Sequence, residues 1–225
     1  SQGPGFIQLL GGIEEELVAS RYSVVLASLA LRDRYDASAV SAWITEHRVD
    51  GLIFVRYTKK ERRLLRGATK AGLPVVLVGP DEPARVGFTV RCRNVQAGEL
   101  AGDHLLELGH SRVAFAGGPR ESLDTRDRLD GLKQALARRG IKLPPADVWF
   151  GDSYDPSSGI AYAERFLARG AKGRPTAVVL GNDAMALGFM RTLLQKNVRI
   201  PDEVAVVGFD GIPDGALFWP GLTTV

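Results

Sequence analysis

Short runs of β-branched and apolar residues alternate with amphipathic stretches along this chain, and that alternation limits the possible folds more than any other feature. The runs "LPVVLVG" (73–79), "SRVAFAG" (111–117), "PTAVVLG" (175–181) and "DEVAVVGF" (202–209) are continuous rather than alternating. Continuous apolar runs of this length mark strands buried on both faces. Further strands are predicted at 22–28, 49–55, 85–91 and 146–151. Between them, apolar residues at three- and four-residue spacing predict helices over 6–19, 36–47, 59–71, 95–108, 125–139, 156–168 and 183–195. Strands alternating with helices feed parallel sheets, so the fold class is α/β. Gly72, Gly109, Gly140, Gly170 and Asn197 stand where helices should stop, and each tolerates the left-handed backbone of a helix C-terminus. No strand is predicted before the first helix and no helix after the last strand. The sequence therefore reads as starting and stopping inside a larger fold.

The βα units fall into two groups, one before about Val95 and one after about Gly109. The reading is of two Rossmann-like lobes with parallel sheets around a central cleft. Residues 1–93 form an N-terminal lobe lacking its first strand. Residues 94–225 form a bridging helix and a C-terminal lobe, with the end crossing back toward the first lobe. In open parallel sheets ligands bind beyond the carboxyl ends of the strands, which here would surround a shared cavity. "AVVLGNDAMALGFM" (177–190) places Asn182 and Asp183 at such an end, where a buried strand becomes a helix. One polar residue suffices to cap that helix. The second is left for another task.

Composition narrows the function classes. No apolar run approaches the roughly 20 residues of a spanning helix, so no membrane association is expected. The first residues lack a basic leader and cleavage site, which predicts a cytoplasmic location. A single cysteine, Cys92, excludes an internal disulfide and a cysteine-cluster metal site. The dense basic run Arg56–Arg66 reads as a solvated helix face rather than a nucleic-acid patch. Phosphate-cradling and hydrolase motifs are absent, and His47, His104 and His110 are isolated in the sequence. No metal, no cofactor and no catalytic residue is predicted.

Four stretches carry a family likeness: "NVQAGELAGDHLLELGHSRVAFAGGP" (94–119), "TRDRLDGLKQAL" (125–136), "GNDAMALGFMRTLLQKNVRIPDEVAVVGFDGIP" (181–213) and "PGLTTV" (220–225). With "IQLLGGIEEEL" (7–17), they resemble the LacI/GalR family of bacterial transcriptional regulators, in order and at matching spacing. The resemblance implies a regulatory core similar to periplasmic sugar-binding proteins (the periplasmic binding protein-like I fold). It also implies a small-molecule effector in the cleft, a homodimer, and operator DNA bound through an N-terminal helix-turn-helix that this sequence does not contain.

Residue by residue, it implies an effector contact for the guanidinium of Arg128, with Asn182, Asp183 and Asp210 as further polar contacts. Phe6 and Tyr154 would supply aromatic faces, and Ser122 and Asp124 lie on a loop expected to line the cleft. Pairs of planar polar groups suit the neighbouring hydroxyls of a sugar. Two positions depart from the family: Arg93 stands where an aspartate commonly precedes Asn94, and Gly211 where an acidic residue often follows Asp210. Both departures favour an acidic or phosphorylated effector over a neutral sugar. "DGALFWPG" (214–221) groups apolar side chains in a loop, so Leu217 and Phe218, with Leu187, are expected at the dimer interface. The alternative reading is the sugar-binding protein of an ABC transporter, which shares this fold.

Overall fold

In a computed structural model of the chain, residues 4–31, 34–35, 37–57, 59–80 and 87–225 are described. The chain divides into two compact units, one of the residues up to Leu9 together with Arg93–Val225, the other of Leu10–Cys92. This differs from a simple split at residue 93. The first helix, α1 (Pro4–Ala19), has its beginning grouped with the later unit.

The later unit is built on five parallel strands: β6 (Val113–Gly117), β7 (Val148–Phe150), β8 (Ala177–Leu180), β9 (Ala205–Gly208) and β10 (Thr223–Thr224). Their order is β7-β6-β8-β9-β10. In register, Val113 lies beside Ala177 and Val178 beside Val206. Successive side chains point to opposite faces. Ala114, Ala116, Val178, Leu180 and Val206 therefore join one core with α6 (Pro156–Ala168) and α8 (Asp183–Gln195). Val113, Phe115, Ala177, Val179 and Val207 join another with α4 (Asn94–Glu107) and α5 (Leu123–Arg138). Covered on both sides, the central strands need an apolar residue at every position, and this explains their unbroken runs.

Glycines let the helices of each pair approach backbone to backbone. A Cβ added at Gly131 of α5 would run into the Val95 carbonyl oxygen, and one at Gly98 of α4 into that of Arg128. The α6–α8 pair repeats this with Gly159 and Gly188. The close crossing brings Arg128 beside the first turn of α4.

The earlier unit has three parallel strands in the order β3-β4-β5: β3 (Leu52–Val55), β4 (Val75–Val78) and β5 (Phe88–Val90). Val40 and Ile44 of α2 (Ser38–Thr45) and Leu64, Leu65 and Ala68 of α3 (Arg62–Lys70) pack on Phe54, Val75 and Leu77. A two-residue antiparallel pair, β1 (Ala30–Leu31) and β2 (Arg34–Tyr35), precedes α2.

Seven of the eight predicted strands are present, each somewhat shorter than expected. The exception is 22–28: among the described residues it pairs with no strand, and Tyr22, Val24, Val25 and Leu26 are exposed. β-propensity supplies a residue fit for a sheet but not the neighbour whose ladder makes it a strand. The last predicted strand is followed by a short helix, α9 (Pro213–Leu217), and by β10, contrary to the expectation that no helix follows it. The predicted helix stops hold: Gly72, Gly109, Gly140, Gly170 and Asn197 all have positive φ. Gly170 also begins one further helical turn, α7 (Gly170–Gly173). No described helix is long and apolar enough to cross a membrane.

Candidate functional site

The carboxyl ends of β6, β7, β8 and β9 carry the polar residues singled out in the sequence. Beyond β8, Asn182 is the N-cap of α8: its Oδ1 accepts from the Met185 N–H at 2.9 Å. Asp183 is fully buried and takes the second task. It accepts from the Ile212 N–H at 2.9 Å and from the Thr224 hydroxyl at 2.7 Å. Its own N–H donates to the Phe209 carbonyl. Asp183 thus ties the end of β8 to the β9 turn and to β10. A Cβ added at Gly208 would strike its Oδ1, so a larger residue there must displace the carboxylate from the Thr224 hydroxyl.

Arg128 is 8 % exposed on the inner side of α5, and the protein orients all three guanidinium nitrogens. Nε donates to Asn94 Oδ1 at 2.8 Å, Nη1 to the Gly181 carbonyl, and Nη2 to Asp210 Oδ1 at 3.5 Å. The guanidinium also lies over the Phe209 ring, 4.6 Å from its centroid, a favourable cation–π placement. Asn94 in turn donates to Asp124 Oδ1 at 2.8 Å. Asp124, Asn94, Arg128 and Asp210 therefore form one hydrogen-bonded chain, which Asn182 joins through Asp210.

Desolvation raises the Asp210 carboxyl above its ordinary value; Arg128 opposes this and the neighbouring Asp183 adds to it. Burial raises Asp183 as well, against the stabilising Thr224 hydroxyl and the Ile212 and Gly211 N–H groups. Asp210 has φ 106, a region that non-glycine residues rarely occupy at a cost of about 1–3 kcal/mol. Its N–H is fixed by the Val225 carbonyl. Backbone strain of this kind concentrates at functional sites.

A second cluster joins the β6 and β7 ends. The Tyr154 hydroxyl bonds with Thr125 Oγ1 at 2.7 Å and Ser122 Oγ at 3.0 Å, and a Cβ at Gly118 would strike its ring. Much of Tyr154 is engaged in holding these loops together. Phe6 is half-buried in the first turn of α1 and belongs to the unit that holds the other candidates. The structure thus joins Arg128 to Asp210 directly and to Asp124 through Asn94, sets Asn182 beside Asp210, and pairs Ser122 with Tyr154, while Asp183 braces the same edge. Asn94, Thr125, Phe209 and Thr224 were not predicted as site residues. Asn94, Thr125 and Thr224 act across 29 or more positions of sequence, and no local spacing announces that.

Of the expected interface residues, Leu217 is 86 % exposed, as is the adjoining Trp219 at 88 %. Leu187 is half-buried, and Phe218 packs on the α6–α8 core. Among the described residues no group of three or more His, Cys, Asp or Glu side chains could hold a metal ion.

Residues 102–225 match the family described as periplasmic binding protein-like domain. The HTH-type transcriptional repressor PurR of Photobacterium profundum is 31 % identical over 229 residues, covering 100 % of this chain and 66 % of the repressor. The chain thus spans just under two thirds of that relative. A LacI family transcriptional regulator from Mycobacterium smegmatis superposes with a TM-score of 0.84 at 28 % identity, over 99 % of this chain and 80 % of that one. One from Enterococcus faecium, solved with bound ribose, gives 0.83 at 26 %, over 99 % and 79 %. With a family model over more than half its length, the chain belongs to the periplasmic binding protein-like domain family, and it is similar in sequence and fold to LacI family transcriptional regulators.

Proposed function

We propose that this chain is the effector-sensing and dimerisation part of a DNA-binding transcriptional regulator, taking a small sugar-like metabolite at the carboxyl edge of the five-stranded sheet. The observation that carries this is Arg128, a buried guanidinium held by Asn94, Gly181 and Asp210 at the edge where parallel sheets receive ligands. Arg128, Asn182 and Asp210 present both donors and acceptors, which suits vicinal hydroxyls; Phe6 and Tyr154 offer apolar surface, and Ser122, Asp124 and Asp183 support the loops. The relatives favour a regulator over a transporter's binding protein.

Charge narrows the ligand. One guanidinium is accompanied by the carboxyls of Asp124, Asp183 and Asp210, whereas Arg93 is exposed. An anionic effector, favoured by Arg93 and Gly211 in the sequence, would meet an excess of like charge, so a neutral polyhydroxyl compound is the better occupant. The role is sensing, not catalysis. An effector shifts the balance between two arrangements of the units only through differential affinity for them. Operator DNA would be bound by a helix-turn-helix outside this sequence, as a homodimer acting in the cytoplasm.

Titration calorimetry with D-ribose, D-glucose and cellobiose, each beside its phosphorylated or acidic counterpart, tests the ligand class. Saturable binding of a neutral sugar should weaken in Arg128→Ala by about 1.5–3 kcal/mol, the loss of a charge-assisted contact. Unchanged affinity in the variant removes Arg128 from the site. For the dimer, Leu217 and Leu187 are the proposed contacts, with Phe218 bracing the loop from beneath. Leu217→Asp should sediment as a folded monomer; an undisturbed dimer places the interface elsewhere.

A further inference from the structure

Asn94 has no predicted ligand contact, yet both ends of its side chain are committed. It is 3 % exposed, accepts from Arg128 Nε and donates to Asp124, both at 2.8 Å. A carboxamide can accept from a guanidinium and donate to a carboxylate while remaining uncharged. Leucine at this position would leave the buried Arg128 Nε without its acceptor and the half-buried Asp124 without a donor, and a buried unmet donor is costly.

Its place in the chain gives this bond a consequence. Asn94 is one residue past the passage from the Leu10–Cys92 unit into the later one at Cys92–Arg93. The other passage lies between Leu9 and Leu10 within α1. One turn earlier in that helix is Gly5, where an added Cβ would stand 3.9 Å from Asp210 Oδ2. Arg128 is bonded to Asp210 through Nη2 and to Asn94 through Nε. The guanidinium is thus held by Asn94, which adjoins the Cys92–Arg93 passage, and by Asp210, which lies near the first turn of α1.

We propose that Asn94 is a positioning residue: it fixes the plane of the Arg128 guanidinium and transmits a displacement of Arg128 to the chain passage at Cys92–Arg93. The proposal rests on Arg128 being an effector contact. A ligand hydroxyl that draws Nη2 away from Asp210 must turn the planar group against the bonds from Nη1 to Gly181 and from Nε to Asn94, and of these the Asn94 bond lies beside the passage. The pull then reaches the first residue after the passage.

The test uses the 225-residue chain without ligand. In nitrogen-15 spectra of arginine side chains, the Arg128 Nε–H should be protected in the parent and exchange about tenfold faster in Asn94→Leu, as loss of one hydrogen bond allows. Asn94→Asp keeps the acceptor and should retain protection. Arg138→Ala, which removes surface pairs to Glu99 and Asp103 across the same two helices, should change nothing. Unchanged exchange in Asn94→Leu, or equal acceleration in all three variants, would overturn the assignment. Should Asn94→Leu not fold, Arg128→Lys decides: backbone amides of residues 92–95 should exchange faster once Nε is gone, and unchanged exchange there refutes the transmission. None of these readouts needs a ligand, so failure of sugars to bind counts against the effector reading alone.

Discussion

Asn182 and Asp183, adjacent and chemically alike, do different work because one faces a helix end and the other a sheet core. Asn182→Ala should lower stability by about 1 kcal/mol, the usual cost of a lost cap, and Asn182→Ser should recover most of it, as read by urea denaturation. Asp183 carries a pH dependence. Burial raises its folded carboxyl above the ordinary value of 3.8, so the native state holds the proton more tightly than the unfolded state. Stability from this group is therefore greatest below about that value and falls as pH rises through the window up to the raised folded value. Asp183→Asn removes the titration. Relative to the parent, its urea midpoint should rise as pH is raised across that window; a difference independent of pH would refute the assignment.

Helices α4 and α5 meet through glycine, and the position of Arg128 depends on that contact. Gly131→Ala must separate two backbones that leave no room for a methyl group, and should cost about 1–3 kcal/mol, the range for overpacking. Gly12 in α1 is the control, because a Cβ there meets nothing within 4 Å. Gly12→Ala should stabilise by up to about 1 kcal/mol through helix propensity alone. Thermal melts of the two variants should move in opposite directions. A shared direction would show that the crossing is looser than described.

The two units bury apolar surface unequally. In the later unit the sheet is covered on both faces, whereas in the earlier one Ile53, Phe88 and Val90 remain 43 %, 74 % and 55 % exposed. Stability follows buried apolar area, so Leu10–Cys92 should unfold at lower urea than the rest. Tryptophan reports on each unit separately: Trp43 packs on the core of the earlier unit and Trp149 on that of the later. Variants retaining Trp43 or Trp149 as the sole tryptophan should show distinct midpoints, Trp43 first. Coincident transitions would indicate a single cooperative body.

The amino-acid sequence by itself determined the α/β class, the positions of seven strands, and the helix stops at Gly72, Gly109, Gly140, Gly170 and Asn197, because periodicity and left-handed tolerance are local properties. It also named the polar residues at the strand ends, since a carboxylate after a buried run has few bland explanations. Tertiary structure alone decided their partners. That Asn94 holds Arg128, that Thr224 meets Asp183, and that Tyr154 anchors Thr125 depend on helix crossings and strand order joining residues 29 to 41 positions apart. The stretch 22–28 shows the same limit from the other side: its side chains suit a sheet, but a strand exists only where a neighbour completes its hydrogen bonds.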